Sequence, residues 1–181
     1  MKTSFWRLVE HIFAAIGATG VLLAALFYLY LQRHAMQPVP ERELGTRGGG
    51  PAVLVAAQGS PYKDAVADTL IRHLREKPAY VRVEDVSQLP LVDERDWDAI
   101  VLLHSWQRWQ PPPVVQEFVE RLKDRRKLVV LTTSGSGESR MACVDAVTSA
   151  SEVSRAQGDA EELLHRVDRI LSLPRLSSAA P

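Results

Sequence analysis

The sequence is poor in cysteine, in net charge and in repetition. Its 181 residues hold one cysteine, Cys143, which excludes an internal disulfide framework and any zinc or iron–sulfur site built on clustered thiolates. Lysine and arginine number 22 and aspartate and glutamate also 22, so there is no basic surplus to engage nucleic acid through its phosphates. His11, His34, His73, His104 and His165 are dispersed rather than spaced as metal ligands. Neither the phosphate-loop pattern G-x-x-x-x-G-K-[ST] nor the dinucleotide fingerprint G-x-G-x-x-G occurs. Ten glycines and eleven prolines are ordinary for this length, which excludes collagen-like and low-complexity chains. At 46% hydrophobic residues the chain is not wholly disordered, and its length suits one domain with an appendage.

The appendage is N-terminal. Ile12 to Leu31 (IFAAIGATGVLLAALFYLYL) contains no charge. At about 1.5 Å per residue such a helix spans roughly 30 Å, the thickness of a bilayer core. Phe5, Trp6 and Phe13 flank one end and Phe27, Tyr28 and Tyr30 the other, as an interfacial aromatic belt requires. A cleaved signal peptide is the alternative; the run exceeds the usual apolar core of about 7–15 residues, and no small-x-small site follows. Residues 1–11 are therefore expected as a flank, 12–31 as a transmembrane helix and 32–51 as a flexible linker. Lys2 and Arg7 precede the span, while Arg33, Arg42 and Arg47 follow it. That near-balance leans towards a cytoplasmic domain on a single-pass protein of a bacterial inner membrane.

Residues 52–173 read as the folded domain and 174–181 as a disordered tail. Ala52 to Ala57 (AVLVAA) is short and wholly apolar, as a strand buried on both faces of a parallel sheet must be. Ser60 and Pro61 then form an N-cap and first turn for a helix whose stripe is Val66, Leu70 and Leu74. Ala79–Glu84, Ala99–His104, Leu128–Thr133 and Val144–Thr148 read as further strands. A helix carries Val115, Phe118, Val119 and Leu122, and a last one starts at Asp159 with Glu162 completing a capping box. The alternation implies an α/β fold with a five-stranded parallel sheet. The segment VSQLPLVDERDWD is poor helix material, and the stretch between the fourth and fifth strands is close to the minimum crossover length of roughly ten residues, so one sheet face is expected to be thinly covered and to favour a homodimer.

In an open parallel sheet, ligands bind beyond the carboxyl ends of the strands at the switch point between windings. Three segments arrive there. The first is Gln58–Lys63, in which Gly59, Ser60, Tyr62 and Lys63 are candidates: a helix start offers free N–H groups, Ser60 a hydroxyl and Lys63 a cation. The second is His104–Trp109, with Ser105, Trp106 and Trp109; its tryptophans either pack on the protein or offer a planar face. The third is Thr133, Ser134, Gly135, Ser136 and Gly137, where small residues let main-chain N–H groups approach a ligand. Each has a plain structural alternative: a capped helix with a solvated lysine, a packed loop, a tight turn.

The order AVLVAAQGSPYKDAVADTL, WDAIVLLHSWQRWQPPPVVQEFVERL, KLVVLTTSGSGES and VDAVTSAS resembles the flavodoxin-like group. The resemblance implies a five-stranded sheet of order 2-1-3-4-5. It also implies flavin mononucleotide (FMN) at these three segments, its phosphate on the first and its ring between the other two, with Trp106 or Trp109 stacked on it. The sequence departs from the group's Ser-x-Thr-Gly-x-Thr phosphate loop: beside Gly59 only Ser60 supplies a hydroxyl, and Pro61 lacks an N–H. The expected function is a membrane-tethered electron carrier between redox partner proteins, with no metal and no nucleic acid. The alternative is the same fold without flavin, serving as a protein-interaction module. A serine hydrolase is a further test: Ser136 lies between Gly135 and Gly137 but outside a G-x-S-x-G elbow, with His104 as the nearest candidate base.

Overall fold

A computed structural model describes residues 2–34, 38–107, 109–141 and 144–173. Arg108, Cys143 and the expected tail 174–181 lie outside the described residues. The chain divides into two compact units, Met1–Met36 and Gln37–Pro181.

The first unit is one helix, α1 (Lys2–His34). Its segment His11–Tyr30 has a mean hydropathy of 2.2 and is exposed along its length. By length and composition that segment is apolar enough to cross a bilayer. A signal sequence meets the same two criteria.

The second unit is an α/β domain with strands β1 (Arg42–Leu44), β2 (Ala52–Ala57), β3 (Tyr80–Asp85), β4 (Ala99–Ser105), β5 (Leu128–Thr133) and β6 (Ala146–Ser149). Its helices are α2 (Pro61–Arg75), α3 (Pro113–Arg121) and α4 (Ala156–Ser172). The sheet order is β1-β3-β2-β4-β5-β6, all parallel except β1. Without β1 this is the expected 2-1-3-4-5 order. β2 is central and lies between β3 and β4. Its alternate side chains explain the unbroken apolar run. Val53, Val55 and Ala57 join α2 and α4 in one core, and Leu54 and Ala56 join α3 in the other.

The sixth strand corrects the five-strand expectation. β1 lies within the stretch read as a linker and runs antiparallel along β3, with Glu43 opposite Arg82. Polar contacts hold this segment: Tyr80 Oη donates to Glu43 Oε1 (2.7 Å), Arg42 pairs with Asp68 (2.7 Å), Glu41 pairs with Arg82 (2.9 Å), and the Val39 N–H donates to Asp85 Oδ2 (3.0 Å). Arg-Glu-Leu has no apolar alternation, so nothing local marks it as a strand. Gly50 returns the chain to β2 at a point where a Cβ would lie 1.4 Å from the Pro78 carbonyl oxygen.

Two further expectations are corrected. The last helix begins at Ala156 after Arg155, so Asp159 lies inside the helix and caps nothing. The sheet face expected to be thin is closed within one chain. The 3-10 turns Val86–Leu91 and Glu94–Asp96 replace a crossover helix, and Leu89, Trp97, Phe118 and Met141 cover Leu54, Ile100, Leu102 and Val130.

Gly50→Ala is expected to destabilise the domain by about 3 kcal/mol, because backbone rather than a movable side chain occupies the space. A lowered urea midpoint with unchanged slope checks this.

Candidate functional site

The three reversals beyond the carboxyl ends of β2, β4 and β5 meet edge to edge through hydrogen bonds. The Gln58 N–H donates to the Leu103 carbonyl (2.9 Å), and the Gln58 side-chain oxygen accepts from the Ser105 N–H (2.6 Å). The Trp106 N–H donates to the Thr133 carbonyl (2.7 Å), and the Ser134 N–H to the Ser149 carbonyl (3.2 Å). Gln58 thus ties the first reversal to the second, a role its position directly after the apolar run did not announce.

At the first reversal Gly59 is buried and Ser60 caps α2, its hydroxyl accepting from the Lys63 N–H (3.2 Å). Pro61 opens the helix without an N–H to offer. Lys63 then turns inward. Only 1% exposed, its ammonium donates to Ser105 Oγ (2.7 Å) and, more distantly, to Ser60 Oγ (3.4 Å). Ser105 Oγ in turn pairs with Thr133 Oγ1 (2.7 Å). No carboxylate of the described residues forms an ion pair with Lys63. Burial therefore pulls its pKa down to about 8, with only Asp64 opposing.

Tyr62 points away from this rim. Its hydroxyl donates to Asp159 Oδ2 (2.6 Å), which also accepts from Ser149 Oγ (2.6 Å), all within the core. Burial and the Asp159 carboxylate raise the phenol's pKa. Tyr62 therefore ties α2 to β6 and α4. Neither Ser149 nor Asp159 was a sequence candidate, because ninety-seven residues separate Tyr62 from Asp159.

The tryptophans of the second reversal part company. Trp106 is half-buried, and its indole N–H is buried without a partner among the described residues. Trp109 is 94% exposed at φ 70° on a turn closed by reciprocal backbone bonds between Gln107 and Gln110 (2.8 and 3.1 Å). His104 is buried below them, pairing through Nε2 with Thr132 Oγ1 (3.1 Å), and burial lowers its pKa to about 4. It faces Thr132, not Ser136, so the Ser–His pair is not formed.

The third reversal is organised around its own serines. Ser134 Oγ accepts from the N–H groups of Gly137 (3.0 Å) and Ser139 (3.4 Å), and Ser136 Oγ from that of Glu138 (3.3 Å). Gly137 sits at φ 73°, against the Ala150 backbone, where a side chain would be strained. Gly135 is exposed with open space around it, and Thr133 is buried beneath. Among the described residues no cluster of metal-ligating side chains occurs.

Sheet order and switch point define a flavodoxin-like α/β domain. No protein-family model matches the chain, and no curated protein matches it. Three substituted forms of the flavo di-iron protein from Thermotoga maritima are similar in structure, with TM-scores of 0.47, 0.48 and 0.46. Each is 15% identical over 71% of this chain, which spans 37% of theirs.

Lys63 makes the domain's stability pH-dependent. Its folded pKa lies below that of the unfolded chain, so the native state loses its proton first and stability rises as pH climbs from about 8 towards 10.5. Lys63→Met is expected to flatten that rise and to stabilise the domain at pH 7 by about 1–3 kcal/mol, because it removes a buried, unneutralised charge. Denaturant midpoints from pH 7 to 10 check both.

Proposed function

We propose that this chain is a membrane-tethered, flavodoxin-like domain that holds no FMN and serves as a docking module for a protein partner. The observation that carries the reading is the position of the Lys63 ammonium. The resemblance to flavodoxin-like proteins puts the FMN phosphate on the first reversal, which carries Lys63. There Lys63 lies 2.7 Å from Ser105 Oγ, closed off from solvent. The remaining donors point the same way. The Lys63 N–H is taken by Ser60, Pro61 has none, and the third reversal turns three of its N–H groups onto Ser134 and Ser136. A phosphate at the first reversal and a flavin edge at the third would meet several groups that already have partners, which supports a rim without FMN.

Trp109 supports the docking role. An indole exposed to water is a large apolar surface on a short, closed turn, and tryptophan is enriched among residues that dominate interface energetics. Helix 12–31 would hold the domain at a membrane with its rim on the cytoplasmic side, raising its effective concentration for a membrane partner. A second reading, the FMN carrier between redox proteins, is favoured by the same exposed indole, which offers a stacking face beside the switch point.

Titration of the full chain in detergent with FMN separates the two. No quenching of flavin fluorescence up to about 100 µM is expected, a concentration far above the dissociation constant of a resident cofactor; quenching that saturates at one equivalent would restore the carrier. A photo-reactive side chain at position 109 should cross-link a discrete partner in native membranes, whereas one at Glu120 should not.

A further inference from the structure

We propose that Ser105 and Lys63 form a nucleophile–base pair that takes an acyl group from a carboxylic ester. A buried lysine amine beside a serine hydroxyl is one of the arrangements that activates serine in place of histidine. Three observations on this rim match its requirements. Lys63 Nζ lies 2.7 Å from Ser105 Oγ, within proton-transfer distance. Burial differs in the required sense: Ser105 is half-buried, whereas Lys63 is shielded from solvent. No carboxylate of the described residues pairs with the amine, so nothing holds it permanently charged. The groups facing it are Asp64 on its own helix and His104 on β4, which burial keeps neutral at pH 7.

The hydroxyl chain accommodates both protonation states. With Lys63 charged, the ammonium donates to Ser105, and Ser105 can donate to Thr133. With Lys63 neutral, the directions reverse: Thr133 donates to Ser105, and Ser105 donates to the amine. In that second state Ser105 Oγ attacks the ester carbonyl carbon and its proton passes to Lys63 Nζ. Collapse of the tetrahedral intermediate breaks the carbon–oxygen bond to the leaving alcohol, which takes the proton back from Lys63. Water then attacks the acyl-serine, again losing its proton to Lys63; the carbon–Oγ bond breaks, Ser105 Oγ takes that proton back, and the carboxylic acid is released.

The inference rests on the rim being free of FMN, and its test reads a different signal from the flavin titration. The full chain in detergent is treated with a fluorophosphonate probe from pH 6.5 to 9.5, and the adduct is mapped by peptide mass spectrometry. An adduct on Ser105 is expected, forming about tenfold faster at pH 9 than at pH 7, as the neutral fraction of a lysine with a pKa of about 8 requires. Ser105→Ala should abolish it and Lys63→Met should slow it at least ~100-fold. No adduct, an adduct on Ser60 instead, or an equal rate in Lys63→Met overturns the assignment. If Lys63→Met fails to fold, a rate in the unaltered chain that does not change with pH overturns it too.

Discussion

Lys63 places an ammonium where the carboxyl ends of the three central strands converge, with hydroxyls around it and, among the described residues, no ion-paired carboxylate. A charge in that position is expensive, and the surroundings reflect the cost of holding it. Ser60 serves twice, accepting from the Lys63 backbone as a helix cap and receiving its side chain as well. Ser105 and Thr133 extend the network across two further strands. The first, second and third reversals are therefore not independent loops around an empty cleft. They are bound through one side chain that starts on α2, and the chemistry available at the rim is the chemistry of that amine.

The other buried polar tie lies on the same helix and works in the opposite direction. Tyr62, next to Lys63, sends its hydroxyl to Asp159 on α4, where Ser149 also donates. Adjacent residues of one helical turn thus commit one side chain to the rim and the other to the core. The Tyr62 network is buried and the Lys63 network partly so, and both link elements distant in sequence, which makes α2 the element that orients the rim against the rest of the domain. Trp109 is the exception to this inward economy. Its turn closes on itself through the Gln107–Gln110 backbone bonds and leaves the ring in water.

Much of the architecture was legible wherever burial on both faces wrote itself into the residues. Ala52–Ala57 and Leu128–Thr133 were readable as strands to the residue because a central parallel strand admits only apolar or hydrogen-bonded side chains. Ser60-Pro61 announced its helix through capping chemistry that needs no distant partner. β1 was not legible, because an edge strand of three residues is held by contacts from β3 and α2 rather than by its own pattern. Asp159 was misread for the related reason that an acidic residue near a helix start has two physical uses, capping and core pairing. Only the position of Tyr62 decides between them.

The candidate site divides in the same way. Composition and order alone determined that the chain carries a bilayer-length apolar helix and an α/β domain, and that its three small-residue reversals fall at carboxyl ends of strands. Those are properties of hydrophobic periodicity and chain connectivity. Which side chain fills the junction was decided by tertiary structure. Solvated lysine, phosphate-binding lysine and buried lysine have identical local sequences, and they differ only in whether hydroxyls from β4 and β5 reach the amine. The separate fates of Trp106 and Trp109 were settled likewise, because packing against a neighbour and exposure to water are properties of the surroundings, not of the residue.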